Sequence, residues 1–245
     1  MYLLRRLKLL VKSMVFDGSE KLIGRGAQAD VVSYRGYAYK IYKPSYPAEW
    51  IAFEKDQQRA VNMAGLSSIR YYDTDDDRIV KMDLIEGETL ETRASQGDLT
   101  CFDILADSFA KIHSTDITGI RMPRIDDTAC MSLSIPEKEE VLPILRRLSD
   151  RYSSCICHLD MHFLNIMVSG SGELHLIDWM NARIAPAVFD YARTYVIFDE
   201  FSAAGLEVYR AKVLPRMRDE GIEDDDLADA VRACYILRQH EKGQG

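Results

Sequence analysis

Two kinds of hydrophobic spacing divide this chain, with the change near residues 83–88. From Phe16 to Tyr42 apolar and polar positions tend to alternate. Phe16–Gly24 predicts one strand, and Val31–Tyr34 with Tyr37–Tyr42 predicts a hairpin turning at Arg35-Gly36. Pro44 and Pro47 interrupt that pattern, after which Trp50, Phe53, Ala60 and Val61 recur at helical spacing between Ala48 and Ala64. Arg78–Ile85 reads as a further strand ending at Glu86-Gly87. Beyond Gly87 the spacing becomes mainly helical. Thr100–His113 carries Phe102, Leu105, Phe109 and Ile112 on one face, and Pro136–Tyr152 predicts a helix that Pro143 kinks or divides. A short hairpin follows: Ile166–Val168, the turn Ser169–Gly172, then Leu174–Ile177. Helices are predicted over Val188–Glu200, Gly205–Arg218 and Asp225–Gln239. No repeat or low-complexity linker is visible. The expected fold class is α+β in two lobes: a lead-in segment (1–14), a β-rich N-terminal lobe (15–85) and a mainly helical C-terminal lobe (86–245).

Composition narrows the class. With 245 residues and 47% hydrophobic content, the chain can bury a substantial core. A net charge of -8 argues against nucleic acid as a partner, because a phosphate-binding face normally carries a basic excess. The five cysteines (Cys101, Cys130, Cys155, Cys157 and Cys234) are odd in number and include no C-x-x-C pair. A disulfide framework or zinc motif is therefore not expected, and reduced thiols in a cytoplasm are. At the N-terminus the apolar run Leu9–Val11 is stopped by Lys12, with no small-residue cleavage site after it, so an amphipathic lead-in is expected rather than a signal peptide. No window reaches the ~20 apolar residues of a membrane-spanning helix, and no membrane partner is expected.

The chemistry concentrates in His158-Leu-Asp160-Met-His162-Phe-Leu-Asn165, followed by Ile177-Asp178-Trp179. Asn165 lies five residues after Asp160, and Asp178 thirteen after Asn165. The hairpin between them returns Asp178 to Asn165. Phosphoryl transfer from a nucleotide needs such a set: one carboxylate for the acceptor hydroxyl, and an amide oxygen with a second carboxylate for a divalent metal. Upstream, Gly24-Arg-Gly26 lies between paired strands, where missing Cβ atoms let backbone N–H groups approach a phosphate. The Walker pattern is absent, which removes the P-loop enzymes. Lys40 and Lys43 are both candidates for a phosphate-neutralising cation. Lys40 is preferred because it shares a strand face with the small Ala38, whereas Lys43 sits beside Pro44 at the strand end. Glu54 is the expected partner of Lys40, since the helix dipole already accounts for Glu49 near the helix start.

In this order these residues resemble the protein-kinase-like fold, and within it the aminoglycoside and choline phosphotransferases, over about residues 20–200. Ile23–Val31 looks like the glycine-rich loop, Ala38-Tyr-Lys40 like the lysine strand, and Met82–Gly87 like the hinge whose backbone near Asp83 and Ile85 would meet adenine. Ala110–His113 is similar to the family's helix ending in Leu-His, and Asp190-Tyr-Ala-Arg193 to its acidic anchor. The resemblance implies Asp160 as catalytic base, Asn165 and Asp178 as magnesium ligands, and ATP, with GTP as the alternative nucleotide. The family's loop usually reads His-Gly-Asp-Leu-His-Pro-x-Asn. Here Leu159 replaces Gly, Met161 replaces Leu, and Phe163-Leu164 occupy the Pro-x positions, giving a more apolar loop.

Asp178 is followed by Trp-Met, and Asp190 comes only twelve positions later. That leaves no platform for a peptide and favours a small hydroxylated acceptor over a protein. The seven acids between Asp219 and Asp229 would suit a cationic acceptor such as an amino sugar or choline-like alcohol, although acids also simply begin a helix. The expected function is an ATP- and magnesium-dependent phosphotransferase acting on a small alcohol. The alternatives are a nucleotide-binding pseudokinase and an atypical protein kinase.

Overall fold

The computed structural model describes residues 16–128, 131 and 133–242, so the expected lead-in 1–14 and Cys130 lie outside the described residues. The chain forms two compact units, one of residues up to Asp56 with Ile69–Ile85, the other of Gln57–Ser68 with Glu86 onward.

The first unit is a five-stranded antiparallel sheet. Its strands are β1 (Lys21–Arg25), β2 (Ala29–Tyr34), β3 (Tyr37–Tyr42), β4 (Tyr71–Tyr72) and β5 (Ile79–Asp83), in the order β1-β2-β3-β5-β4. The predicted hairpin turn is present: Arg35 and Gly36 both have positive φ (48° and 79°) between the paired Tyr34 and Tyr37. Two left-handed residues give a turn whose twist matches that of the flanking strands. The strand expected over Phe16–Gly24 is shorter at its start. Asp17 accepts hydrogen bonds from the Ser19 N–H and hydroxyl, and Gly18 takes φ 88°, which makes a turn before β1. Phe16 still packs edge-on against Tyr34 and Tyr39.

Helix α1 (Ala48–Met63) buries Ile51, Glu54, Gln57, Gln58 and Val61 along one face. Polar groups on that inner face explain why its apolar periodicity is faint.

In the second unit, β6 (Gly87–Thr89) leads into α2 (Leu90–Ala94), α3 (Cys101–His113) and α4 (Ile125–Thr128). Helix α5 (Ile135–Arg151) and β7 (Ser154–Cys157) precede a 3₁₀ turn (Phe163–Asn165), β8 (Ile166–Ser169) and β9 (Leu174–Leu176). A second 3₁₀ turn (Trp179–Asn181) and β10 (Arg183–Pro186) lead to α6 (Val188–Phe201), α7 (Ala203–Lys212), α8 (Leu214–Asp219) and α9 (Asp224–Lys242). The small sheets are β6-β8-β9 and β10-β7. The predicted face of α3 is buried in the large apolar core, with Leu105, Phe109 and Ile112 fully enclosed.

Two helix expectations are corrected. Pro143 does not divide α5, which runs unbroken from Ile135 to Arg151 with Pro143 on its exposed side. The helix expected over Gly205–Arg218 is two helices. Pro215, in the first turn of α8, cannot donate into a preceding turn, and the break falls at Val213. Among the described residues no helix is long and apolar enough to cross a membrane.

Candidate active site

In the first unit, Lys40 on β3 reaches Glu54 on α1 at 2.8 Å (Nζ to Oε1), and both side chains are largely buried. Tyr42 donates its hydroxyl to the other Glu54 oxygen at 2.5 Å, and Tyr71 donates to Oε1 at 3.3 Å. One carboxylate thus organises an ammonium and two phenols. Burial pushes the Tyr42 phenol well above its ordinary range, with Lys40 pulling the other way, so the phenol remains a donor. Glu49, the competitor, is exposed.

Gly24 pairs with Val31 beside a bulge in β1, and the Gly26 N–H donates to Ala29 O at 2.8 Å, closing the turn. Lys43 is exposed, yet its ammonium donates to Ala27 O at 2.6 Å and its N–H to Gln28 O at 2.9 Å. Asp83 ends β5. Its N–H donates to Arg70 O, and its carboxylate accepts from the Arg70 N–H (2.9 Å) and the Tyr72 hydroxyl (2.8 Å). Ile85 follows in irregular backbone.

In the second unit, the loop after β7 is held from behind by Asp190 in the first turn of α6. Its fully buried carboxylate accepts the N–H groups of His158 (2.9 Å) and Leu159 (2.7 Å). Arg193 donates to Leu159 O at 3.0 Å, and the Thr194 hydroxyl to Met161 O at 2.8 Å. Asp190 also lies 3.1 Å from His113 Nε2, and Glu220 lies 3.3 Å from His113 Nδ1. Burial alone would lower the pKa of His113. The bonds to Asp190 and Glu220 outweigh it and raise the value to about 10, so the imidazolium persists at neutral pH.

Within the loop, Asn165 Nδ2 donates to Asp160 O at 2.8 Å and faces His162 Nε2 at 3.3 Å. Its Oδ1 is therefore the atom left to serve as a ligand. The Ile177 N–H donates to Asn165 O at 3.0 Å, and Ile166 pairs with Leu176, so the hairpin brings the residue before Asp178 against Asn165. Asp178 adopts φ 62°, a left-handed kink that starts the second 3₁₀ turn. His158 donates Nε2–H to Ile177 O at 3.0 Å and packs on Trp179, a supporting contact. Burial lowers the pKa of His162 despite the nearby charges of Asp160 and Asp178, leaving it neutral and able to accept from Asn165. An amide oxygen and a carboxylate on a clasped hairpin are hard oxygen donors and fit magnesium.

Several features escaped the sequence. Phe163 and Leu164 do not both line the site. Phe163 turns inward against Phe102 (4.9 Å) and Phe198 (5.4 Å), while Leu164 faces outward. Leu159 occupies a left-handed conformation, φ 59°, where the resembling family has Gly. The acids near the start of α9 are largely occupied: Arg147 and Arg151 both bond the buried Asp226, and Arg147 also reaches Asp229 at 2.7 Å. Gln57 donates Nε2–H to Ala182 O at 2.5 Å, steadying the segment after Asp178. Buried polar residues on α1 were the sole signal for that contact.

A β-sheet unit with a lysine–glutamate pair, and a mainly helical unit with an Asp–Asn–hairpin–Asp loop, define a protein-kinase-like fold. The model of the phosphotransferase enzyme family matches residues 21–221, and the chain belongs to that family. No curated protein sequence matches it. Similar solved structures include the choline kinase LicA of Streptococcus pneumoniae, at 20% identity with a TM-score of 0.61, covering 92% of this chain and 86% of that one. The aminoglycoside phosphotransferase APH(3'')-Id of Streptomyces rimosus is 15% identical with a TM-score of 0.62, covering 90% and 93%. An ethanolamine kinase of Plasmodium vivax is 12% identical with a TM-score of 0.60, covering 92% and 74%.

Proposed function

We propose that this phosphotransferase moves the γ-phosphoryl group of ATP to a hydroxyl of a small molecule, with magnesium bound by Asn165 and Asp178. The observation that carries this reading is the clasp in which the Asn165 side chain donates Nδ2–H to Asp160 O while its main-chain carbonyl accepts the Ile177 N–H. That arrangement turns the Asn165 amide oxygen away from the bond to Asp160 and sets the residue before Asp178 against Asn165, which supports the two as a ligand pair. Magnesium, when bound there, supplies charge neutralisation on the phosphates. Lys40, fixed by Glu54, is assigned to the α/β-phosphates, and the backbone of Gly24–Gly26 to the outer phosphates. The backbone at Asp83 and Ile85 is assigned to the adenine. Asp160 orients the acceptor hydroxyl and takes its proton as the new P–O bond forms and the bond from the γ-phosphorus to the bridging oxygen breaks, releasing ADP. Solved relatives in the fold include LicA in complex with AMP and APH(4)-Ia with AMP-PNP and hygromycin B, which supports an adenine nucleotide.

A small acceptor is supported by the stretch from Asp178 to Val188. A 3₁₀ turn and β10 occupy it, the strand being paired to β7, so no extended segment remains to receive a peptide. The test is ATP consumption against amino sugars, amino alcohols and protein acceptors, with Asp160→Asn as control. Turnover of a small alcohol that falls at least about 100-fold in Asp160→Asn is expected. Undiminished activity in Asp160→Asn would remove Asp160 from the mechanism. Magnesium-dependent nucleotide binding without turnover of any acceptor would favour a pseudokinase.

A further inference from the structure

Cys155 and Cys157 are two residues apart on β7, so strand alternation places both side chains on one face, with their sulfurs 3.8 Å apart. An imidazole nitrogen of His113, at the end of α3, lies within 4.8 Å of both sulfurs. Both cysteines are buried and neither is in a disulfide. The C-x-x-C spacing missing from the sequence is replaced here by the two-residue period of a strand.

The geometry suits coordination. For a Zn–S bond of ~2.3 Å, sulfurs at this separation subtend roughly 110° at the metal, close to tetrahedral. Two sulfurs and one nitrogen form a soft donor set that selects a thiophilic cation over magnesium. Each ring nitrogen of His113 faces a carboxylate, Nε2 Asp190 and Nδ1 Glu220, so the nitrogen that takes the metal leaves its carboxylate while the other keeps the outer hydrogen bond that metal-bound histidines usually make.

We propose that Cys155, Cys157 and His113 form a second metal site, specific for a thiophilic divalent cation such as zinc, behind the catalytic loop. The fourth position falls to water or to Glu220, whose carboxylate is 30% exposed and lies 3.3 Å from His113 Nδ1. Binding exchanges protons for metal: each thiol releases one, and the His113 imidazolium releases one while its other N–H stays on a carboxylate. Because β7 runs directly into His158, the cation would fasten α3 to the strand that delivers the loop.

The test uses the full chain, reduced, freed of metal with a chelator, and titrated with Co²⁺. One equivalent should bind at micromolar concentration, giving a sulfur-to-cobalt charge-transfer band that Zn²⁺ bleaches. The band should disappear in Cys155→Ser and Cys157→Ser and survive in Cys101→Ser, Cys130→Ser and Cys234→Ser. A second measurement needs no variant: Zn²⁺ should slow alkylation of Cys155 and Cys157 at least about tenfold by peptide mapping, leaving Cys101 and Cys234 unchanged. Absence of the band in the unsubstituted chain, its persistence in the Cys155→Ser/Cys157→Ser double variant, or unprotected thiols would each overturn the proposal.

Discussion

Asn165 donates its side-chain amide to the main-chain carbonyl of Asp160 at 2.8 Å. That bond decides which end of the amide remains available. With Nδ2 committed, the carbonyl oxygen is the atom that would serve as ligand in the proposed magnesium site. Asn165→Ala should raise the Mg²⁺ concentration for half-maximal activity about tenfold and lower kcat/KM about 100-fold. Asn165→Asp keeps an oxygen but loses the donor, so it should retain part of the Mg²⁺ response while loosening the loop. A magnesium titration of initial rates distinguishes the two. An unchanged Mg²⁺ midpoint in Asn165→Ala would exclude it as a ligand.

Asp190 makes a different kind of contribution, since its carboxylate bonds the loop's backbone and His113. Asp190→Ala strands two buried N–H groups and a buried imidazolium, with an expected cost of about 3–5 kcal/mol in urea denaturation. Asp190→Asn keeps one acceptor and should cost less. A loss below about 1 kcal/mol for the alanine variant would show that the loop does not depend on this anchor.

How much of this was legible depended on whether the signal was local. The Asp160–Asn165–Asp178 spacing, the Arg35-Gly36 turn and the Lys40–Glu54 partnership follow from periodicity and turn chemistry; the structure pairs Lys40 with Glu54, closes the Arg35-Gly36 turn, and sets Ile177 against Asn165. The inward turn of Phe163 was not legible, because it depends on Phe102 and Phe198 from two distant helices. β6 is three residues long, too short to show alternation, and its existence depends on pairing with β8. The pairing of Cys155 with His113 likewise needs the fold, since forty-two positions separate them.

Gly87 illustrates such a tertiary demand. A Cβ at this position would lie 2.0 Å from Val168 O and 2.8 Å from Ser169 Cα. Backbone, not a flexible side chain, fills that space, so β6 and β8 can pair at this distance only with glycine there. Gly87→Ala should push the strands apart and cost about 1–3 kcal/mol, measured by urea denaturation. An undisturbed midpoint would mean that the strands tolerate separation.

The cap of α5 predicts a pH dependence. Glu137 accepts the Ser134 N–H (2.8 Å) and hydroxyl (2.5 Å), and His240 lies 2.8 Å from its other oxygen. The Ser134 hydroxyl, then His240 and the Ser134 N–H, lower its pKa from 4.5 to about 2. A depressed carboxyl pKa stabilises the fold at pH above the unfolded value, about 4.5 here, and that contribution fades as pH falls toward 2. Glu137→Gln should lower Tm by about 2–4 °C at pH 6 and by progressively less toward pH 3. An equal deficit at both pH values would assign the effect to packing.

Leu159 sets two energies against each other. Its φ of 59° costs a side-chain-bearing residue about 1–2 kcal/mol, yet the residue is only 7% exposed, and burial of its side chain contributes about 1.5–3 kcal/mol. Leu159→Gly removes both, so the net loss should be small, about 1 kcal/mol. Leu159→Val keeps an apolar side chain but adds β-branching, which the left-handed region tolerates least, and should lose about 2 kcal/mol or more. If the conformation governs, Gly will be less harmful than Val although it removes more apolar surface. The reverse order in denaturation midpoints would show that burial dominates, and that the strain is relieved by a shift of the loop between His158 and Asp160.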